Sequence, residues 1–130
     1  MDKKLIEKSI SVMKKAYAPY SNFLVGAAIQ DENGKIHEGI NVENSAYPSG
    51  TCAEESAISQ MIVSGGKTII KIAIAGRGKE LCTPCGACRQ RIREFSNNHT
   101  KIIICGEKGV RKTFLINELL PEIFGPENLK

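Results

Sequence analysis

Three cysteines with unequal spacing limit the folds open to this chain more than any other feature of its sequence. Two residues separate Cys85 from Cys88, whereas 32 residues lie between Cys52 and Cys85. Two thiolates at the short spacing can bind one zinc ion, and a remote cysteine can supply a third ligand. Three protein ligands leave one tetrahedral position open, which is typical of a catalytic zinc site rather than a structural one. The pattern therefore predicts a catalytic zinc held by Cys52, Cys85 and Cys88.

Glu54 lies two residues after Cys52, close enough to reach a water on that metal without being a ligand. Zinc lowers the pKa of a bound water to about 7, and a neighbouring carboxylate can then carry protons in both directions. An alternative is a capping box, in which Thr51 and Glu54 begin a helix. The downstream Cys-x-x-Cys pair favours the catalytic interpretation, in which Glu54 is the proton carrier.

Cys82 leaves a second metal arrangement open. With the Cys-x-x-Cys pair it forms a run typical of some iron–sulfur proteins, or it could be a fourth, structural zinc ligand. We expect Pro84 to separate Cys82 from the following helix, and an iron–sulfur site would have no use for Glu54. Cys105 ends an apolar strand and is predicted to be a buried, small hydrophobic residue.

Composition is that of an ordinary globular chain. Of the 130 residues, 42% are hydrophobic and 25% are charged, and this length predicts a single domain over residues 1–130. No apolar run reaches the roughly 18 residues of a membrane span, and the first residues lack the pattern of a secretory signal. The odd count of five cysteines favours a reducing, cytoplasmic compartment. The charge of +4 is spread along the chain, so we expect no nucleic-acid partner and no membrane partner.

Hydrophobic periodicity predicts the order αββαβαβ with a weak final strand. Asp2 is a candidate N-cap, the Asn33-Gly34 turn predicts a hairpin, and both His37 and His99 are predicted at the surface. The predicted elements are a helix over 2–16, strands over 25–29 and 36–42, a helix over 52–64, a central strand over 68–75, a helix capped by Thr83 with Pro84 in its first turn and ending near 95, strands over 101–105 and 110–114, and a helical turn over 117–120. This order predicts an α/β fold, a three-layer α/β/α sandwich on a mixed sheet.

Five motifs in order give the chain a close resemblance to the small cytidine deaminases, from about residue 17 to residue 129. They are Tyr-Ala-Pro-Tyr-Ser-Asn-Phe from 17, Asn-Val-Glu-Asn from 41, Cys-Ala-Glu from 52, Pro-Cys-Gly-Ala-Cys-Arg-Gln from 84 and Leu-Pro-Glu-Ile-Phe-Gly-Pro from 120. The resemblance implies five strands, one zinc per chain, and conversion of cytidine and deoxycytidine to uridine and deoxyuridine with release of ammonia, in pyrimidine salvage. It also implies a homotetramer with shared active sites.

The resemblance assigns further roles to individual residues. Phe23 would pack against the pyrimidine ring, and the Ala53 backbone would hold the amide edge of the base. Asn41 and Glu43 would bind the ribose 3′-hydroxyl, which suits an amide that donates and a carboxylate that accepts. Because that carboxylate disfavours a 3′-phosphate, we expect a free nucleoside rather than a polynucleotide. Residues that reach a neighbouring subunit's site would be Ser45, Tyr47 and Phe124.

The segment around Phe124 is bracketed by prolines, which predicts an extended tail. Its apolar Ile-Phe pair would remain in water unless the tail docked on a surface, and burying one Phe is worth about 1.5–3 kcal/mol. The resemblance implies that this surface belongs to a neighbouring subunit.

One position departs from the pattern Cys-Ala-Glu-Arg of many relatives, because this chain has Glu55 where they have the arginine that hydrogen-bonds the thiolates. Both cysteine segments are expected to begin helices, whose N–H groups and positive dipole ends would face the sulfur atoms. Either Glu55 points to solvent or another cation balances the thiolates, and Arg89 is the nearest candidate in sequence.

Two other functions stay open. One is a deaminase for another aminopyrimidine nucleoside, such as an antibiotic of the blasticidin S type, and Phe23, Asn41 and Glu43 argue against it. The other is a non-catalytic zinc module that binds a partner, and Glu54 argues against that because a structural site has no use for it.

Overall fold

The structure, a computed structural model, describes residues 2–129. Its helices and strands are α1 (Lys3–Met13), β1 (Val25–Asp31), β2 (Ile36–Ile40), α2 (Ala53–Val63), β3 (Ile69–Gly76), α3 (Gly86–Glu94), β4 (Lys101–Gly106), β5 (Gly109–Leu115) and α4 (Ile116–Leu119). Two short 3₁₀ turns cover Tyr47–Ser49 and Pro126–Leu129. None of the helices within residues 2–129 has the length and apolar character needed to cross a bilayer.

Five strands form one mixed sheet in the order β2-β1-β3-β4-β5. β3 and β4 are parallel, with α3 in the connection between them, and every other neighbouring pair is antiparallel. β3 is the middle strand, as its continuous apolar run predicted. Both the five-stranded sheet and the mixed strand directions agree with the sequence analysis.

Helices cover both faces of this sheet, so the predicted three-layer α/β/α sandwich is confirmed. Alternation along β3 sends Ile72 and Ile74 to the face packed against α2 and α3, and Ala73 and Ala75 to the face packed against α1. The small alanines leave room for the single helix α1, whereas the isoleucines fill the space beneath two helices. Each layer therefore has its own hydrophobic core.

One edge of the sheet gathers the segments that carry the sequence motifs. The register pairs Gly26 with Ile40 and Val25 with Gly76, so the start of β1 lies beside the ends of β2 and β3. The segment after β2 leads to α2, and the loop after β3 leads to α3. The first turns of both helices are thereby brought to the same edge, as is usual for binding sites in open α/β sheets.

Gly39 in β2 allows α2 to approach the sheet closely. A Cβ atom at this position would lie 2.4 Å from the carbonyl oxygen of Ala53 and 2.3 Å from the amide nitrogen of Ala57, distances that no real side chain tolerates. Since Ala53 begins α2, this contact fixes the depth at which the first turn of that helix sits. We expect any larger residue at position 39 to push that turn away from the sheet.

Several element boundaries differ from the prediction. α1 is shorter at both ends than the predicted helix, and Asp2 precedes it but makes no side-chain cap, because its carboxylate pairs with Lys71 instead. α3 begins at Gly86 with Cys85 as its N-cap, so the prediction of Thr83 as cap and Pro84 in the first turn is wrong. Pro84 and Thr83 belong to the loop that leads to the helix.

His37 was predicted at the surface and is buried, with 5% of its surface exposed. Strand alternation places it on the same face of β2 as Gly39, and α2 covers that face. Its Nε2 atom lies 2.8 Å from Oδ2 of Asp31, which is also buried. The hairpin turn that Asn33-Gly34 predicted is present, with Gly34 at φ +80°, and it brings these two side chains together. His99 is exposed, as predicted.

Candidate active site

The fold brings the three predicted metal ligands together. Sγ atoms of Cys52, Cys85 and Cys88 all lie within 4.8 Å of one another. A tetrahedral zinc with Zn–S bonds of about 2.3 Å needs sulfur atoms about 3.8 Å apart, so small side-chain adjustments fit the three thiols to that ion. Cys82 is outside this group, although its sequence spacing allowed it to be a ligand.

Both cysteine segments begin helices, as expected. Cys52 is the N-cap of α2, Cys85 is the N-cap of α3, and Cys88 lies in the first turn of α3. The N-terminal ends of two helices therefore meet at the sulfur atoms, where their positive ends favour thiolates. The three cysteines differ in exposure to solvent: Cys85 is exposed, Cys52 is half-buried and Cys88 is fully buried.

Glu54 is buried beside the cysteines, with 6% of its surface exposed. Burial raises the pKa of its carboxyl group above the ordinary value, although hydrogen bonds from its own backbone and Cys88 and the charge of Arg91 act in the opposite direction. The alternative in which Thr51 and Glu54 form a capping box is wrong. The box lies one residue further on, where the Cys52 N–H donates to Oε1 of Glu55 at 3.3 Å. Glu54 is consequently free to face the pocket.

A pocket of about 670 Å³ opens above these residues. Its lining combines the metal site, the ends of β1 and β2, and the loop after β3. The predicted site residues among the lining are Phe23, Asn41, Glu43, Tyr47, Cys52, Ala53, Glu54 and Cys85. Cys88 lies beneath the pocket surface, and Ser45 and Phe124 do not line this pocket.

Asn41 and Glu43 are held on the pocket wall by the chain itself. Oδ1 of Asn41 accepts from the Val25 N–H and its Nδ2 donates to the Phe23 carbonyl, both at 2.9 Å. Glu43 accepts from the backbone N–H groups of Tyr20 and Ser21 at 3.0 and 3.2 Å and from the Ser21 hydroxyl. The hydrogen bond from the Ser21 hydroxyl is the main reason that the pKa of Glu43 is lowered.

Aromatic side chains surround the pocket mouth. Phe23 lies across from Gly76 and Gly78, where it is 41% exposed. The rings of Tyr20 and Tyr47 are 5.8 Å apart, and Tyr47 is 75% exposed. Tyr47 therefore lies at the rim of the pocket of its own chain, and its predicted contact with a neighbouring subunit stays a prediction.

Tyr20 and Cys82 are among the pocket residues that were given no role in the predicted deaminase site. Tyr20 belongs to the motif that begins at residue 17, so the sequence pointed to this residue, but no role was assigned to it. Cys82 lies against Gly76 on the pocket wall. Burial, reinforced by the negative charge of Glu54, raises the pKa of the Cys82 thiol to about 11. Its sulfur is outside the group of three clustered thiols, which suits a wall residue rather than a ligand.

The C-terminal segment differs in part from the predicted extended tail. Pro126–Leu129 forms a 3₁₀ turn, and Ile123 packs on the core of its own chain. The Phe124 carbonyl accepts a hydrogen bond from Gln90 at 2.8 Å, whereas its ring is 55% exposed. Of the Ile-Phe pair, Ile123 therefore packs on the core of its own chain, whereas the ring of Phe124 stays largely exposed.

Comparison with known proteins supplies the family. The model of the cytidine and deoxycytidylate deaminase zinc-binding region matches residues 1–105. A cytidine deaminase of Sporosarcina psychrophila is 39% identical over 97% of this chain and 93% of its own length. A second cytidine deaminase, from Halalkalibacterium halodurans, is 35% identical over 96% of this chain and 95% of its own length.

The chain belongs to the cytidine and deoxycytidylate deaminase family. The crystal structure of a cytidine deaminase from Burkholderia pseudomallei superposes with a TM-score of 0.88 and 37% identity, covering 95% of this chain and 99% of that one. The resemblance stated from the five motifs is therefore confirmed, and so is the fold that it implied. The family's zinc-binding region includes all three clustered cysteines.

Arg89, the nearest candidate in sequence for balancing the thiolates, makes other contacts. Its Nε donates to the Pro84 carbonyl and its Nη1 to the Leu119 carbonyl, both at 2.8 Å. Arg89 thus fastens the loop before α3 to the end of α4. The guanidinium at the sulfur atoms is that of Arg91, whose Nη1 lies 3.3 Å from Sγ of Cys88.

Proposed function

We propose that the chain catalyses the hydrolytic deamination of cytidine and deoxycytidine to uridine and deoxyuridine with release of ammonia. Family membership supports this reaction, and so do its relatives, which are named cytidine deaminases. The observation that carries the proposal is the position of Glu54, a buried carboxylate beside three clustered thiols at the floor of a pocket. A structural zinc module would gain nothing from a desolvated carboxylate there.

Cys52, Cys85 and Cys88 would hold one zinc ion in this proposal. When bound, zinc supplies Lewis acidity that brings the pKa of a water to about 7 and so provides a nucleophile at neutral pH. Because free thiols are kept reduced in the cytoplasm, a site built on three of them fits the proposed cytoplasmic location.

Glu54 would move two protons during one turnover. Its carboxylate takes the first proton from the attacking water and delivers it to N3 of the pyrimidine as the C4–O bond forms. It then passes the remaining hydroxyl proton to the amino group, which leaves C4 as ammonia while the C4 carbonyl forms. A carboxyl whose pKa is raised by burial can hold a proton long enough to donate it.

The pyrimidine would lie between the metal site and Phe23, which faces the pocket from the segment before β1. Ala53 is 1% exposed and is the first residue of α2. Its backbone would present polar groups to the amide edge of the base at the depth that Gly39 fixes. The base is thus located by backbone groups that cannot shift independently of the fold.

The ribose 3′-hydroxyl would bind Asn41 and Glu43. Each residue keeps hydrogen-bonding capacity after its contacts with the chain, since one N–H of Asn41 and at least one lone pair of Glu43 stay unused. A hydroxyl group needs one donor and one acceptor, so the pair matches a 3′-hydroxyl. Among the pocket-lining residues of the described chain there is no lysine or arginine, whereas two are glutamates. A nucleoside therefore fits this pocket better than a nucleotide.

Glu43→Ala should lower kcat/KM for cytidine by about 10- to 100-fold, because a hydrogen bond to a charged group is worth about 1.5–3 kcal/mol. A 3′-deoxy analogue lacks the hydroxyl, so it should lose much less. The measurement is steady-state kinetics on both substrates with the wild type and the variant. Ser21→Ala is the matched control, because it removes the hydroxyl contact between the supporting loop and Glu43 and keeps both the carboxylate and its two backbone hydrogen bonds. Equal losses on both substrates would show that Glu43 supports the loop and does not bind the 3′-hydroxyl.

We propose a homotetramer in which Ser45, Tyr47 and Phe124 reach the active site of a neighbouring subunit. The exposed rings of Tyr47 and Phe124 support this arrangement, as does the exposure of Val63 at the end of α2. Gln90 fixes the backbone at Phe124, so its ring projects from a defined position rather than from a free tail.

Phe124→Ala should raise KM for cytidine by roughly tenfold, since burying one phenylalanine is worth about 1.5–3 kcal/mol. Leu129→Ala is the matched control, because Leu129 is 81% exposed on the same segment. Truncation after Leu120 should also loosen the oligomer in sedimentation experiments, but it removes Ile123 from the core of its own chain as well. The point variants are therefore the sharper test, and a Phe124→Ala enzyme with wild-type KM and mass would contradict the shared site.

An ammonia-release assay on purified protein tests the proposed function. The substrate panel contains cytidine, deoxycytidine, deoxycytidine monophosphate and blasticidin S. Turnover of the two nucleosides well above the others supports the proposal. Preference for blasticidin S would favour the alternative deaminase, and no turnover by zinc-loaded protein would favour the non-catalytic module.

A further inference from the structure

Three thiolates carry more negative charge than one zinc ion carries positive charge. A centre with excess negative charge is a poor Lewis acid, so the surroundings of the sulfur atoms influence both the affinity for zinc and its reactivity. Cys88 needs such support most, because it is fully buried and water cannot reach its sulfur.

Arg91 supplies a donor at this buried sulfur. Its Nη1 lies 3.3 Å from Sγ of Cys88, within hydrogen-bond range for sulfur. The two residues are three positions apart in α3, so they share one face of the helix. The contact therefore depends on the helix itself and not on a flexible loop.

Glu55 lies on the other side of the same guanidinium. Nη2 of Arg91 is 3.8 Å from Oε2 of Glu55, too far for a hydrogen bond, and both side chains are more than a third exposed. Such an ion pair contributes little. Oε1 of Glu55 meanwhile caps α2 by accepting from the Cys52 N–H. The shortest polar contact of Arg91 is thus with the sulfur.

No other cationic side chain in residues 2–129 donates a hydrogen bond to any of the three sulfur atoms. Arg89 points to two backbone carbonyls, and Arg93 pairs with Glu127. We propose that Arg91 is the residue that balances the charge of the zinc–thiolate centre, by donating to the Cys88 thiolate across the first turn of α3. Glu55 has no direct share in this task, and serves as the cap of α2.

The first test is the rate at which zinc passes from the folded protein to a chromogenic chelator. Loss of a group that supports a metal ligand typically costs about 10- to 100-fold in metal affinity, so Arg91→Gln should release zinc about 10- to 100-fold faster than the wild type. Arg91→Lys keeps the charge and should restore much of the retention. Arg93→Gln, on the same helix, should release zinc at the wild-type rate, and so should Glu55→Gln, whose amide oxygen can still cap α2.

The second test is the thiolate-to-metal charge-transfer band of the cobalt-substituted protein. A hydrogen bond to a thiolate withdraws electron density from sulfur and raises the energy of that transition. Removing the donor in Arg91→Gln should therefore shift the band to longer wavelength, whereas Arg93→Gln and Glu55→Gln should leave it in place. The thermal midpoint of the metal-free protein should change little in all three variants, because the arginine is partly exposed.

Three results would overturn the proposal. Zinc release from Arg91→Gln within twofold of wild type would show that the contact has no effect on the metal. Faster release with an unmoved cobalt band would attribute the effect to helix packing rather than to sulfur. Equal release from Glu55→Gln and Arg91→Gln would attribute it to the ion pair between the two helices. The inference rests on the proposed zinc site, but these measurements do not use turnover, so its failure is distinguishable from failure of the proposed reaction.

Discussion

Glu54→Gln is expected to lower kcat for cytidine by about 10²–10⁴-fold, the usual cost of losing general acid–base catalysis, or by more because one carboxyl group serves two proton transfers. Glutamine preserves the length and shape of the side chain and still accepts a hydrogen bond, but it cannot carry a proton. KM should change much less than kcat, because the base and the ribose are held by other residues. Steady-state kinetics on zinc-loaded protein measure both constants.

Two accompanying measurements make this result specific to proton transfer. Zinc content should stay near that of the wild type, since Glu54 is outside the group of three clustered cysteines. Glu54→Asp keeps an ionisable group and moves it back by one methylene, so its activity should lie between those of the wild type and Glu54→Gln. Near-normal turnover by a zinc-loaded Glu54→Gln enzyme would exclude Glu54 as the proton carrier.

The metal-ligand cluster could be predicted from the sequence because coordination chemistry restricts both residue type and spacing. The two-residue spacing of Cys85 and Cys88 predicted that both lie near the start of one helix. One more thiol then completes the three protein ligands of a catalytic zinc site. The fold was predictable for a similar reason. The continuous apolar run of β3 is typical of a central strand, and the Asn33-Gly34 turn is typical of a hairpin. The single-domain organisation stays a prediction.

Arg89 was the nearest candidate for the thiolates in sequence, but its guanidinium donates to two backbone carbonyls, because closeness in sequence is not closeness on a helix. Arg89 follows Cys88 directly and so points about 100° around the helix axis from it. Arg91 is three positions away and returns to the same face. Helical spacing was available from the sequence, and it would have favoured Arg91 once the helix start was placed correctly.

The capping box and His37 were mistaken for different physical reasons. A shift of one residue decides whether Glu54 or Glu55 caps α2, and the sequence pattern fits Thr51 with Glu54 as well as the observed pair. The burial of His37 follows from α2 packing over β2, a long-range contact that local sequence does not reveal. Asp31 makes that burial tolerable by accepting a hydrogen bond from the ring.

Cys85→Ala and Cys88→Ala are each expected to abolish stoichiometric zinc binding and, with it, all cytidine turnover above background. Two remaining thiolates cannot complete the ligand set of a stable tetrahedral site. Metal analysis of the purified variants measures the loss, with Cys82→Ala and Cys105→Ala as controls that should keep one zinc per chain. The Cys82 control also tests directly whether this wall thiol has any share in binding metal.

Cys85→Ala is the more decisive of the two variants because the two thiols differ in burial. Cys88 is fully buried, so its removal leaves a cavity and disturbs the contact with Arg91. Cys85 is exposed and makes no comparable packing contribution, so alanine there should leave the metal-free fold intact. Zinc lost from a Cys85→Ala protein with an unchanged circular dichroism spectrum identifies that thiolate as a ligand. Full zinc retention in both variants would refute the three-cysteine site.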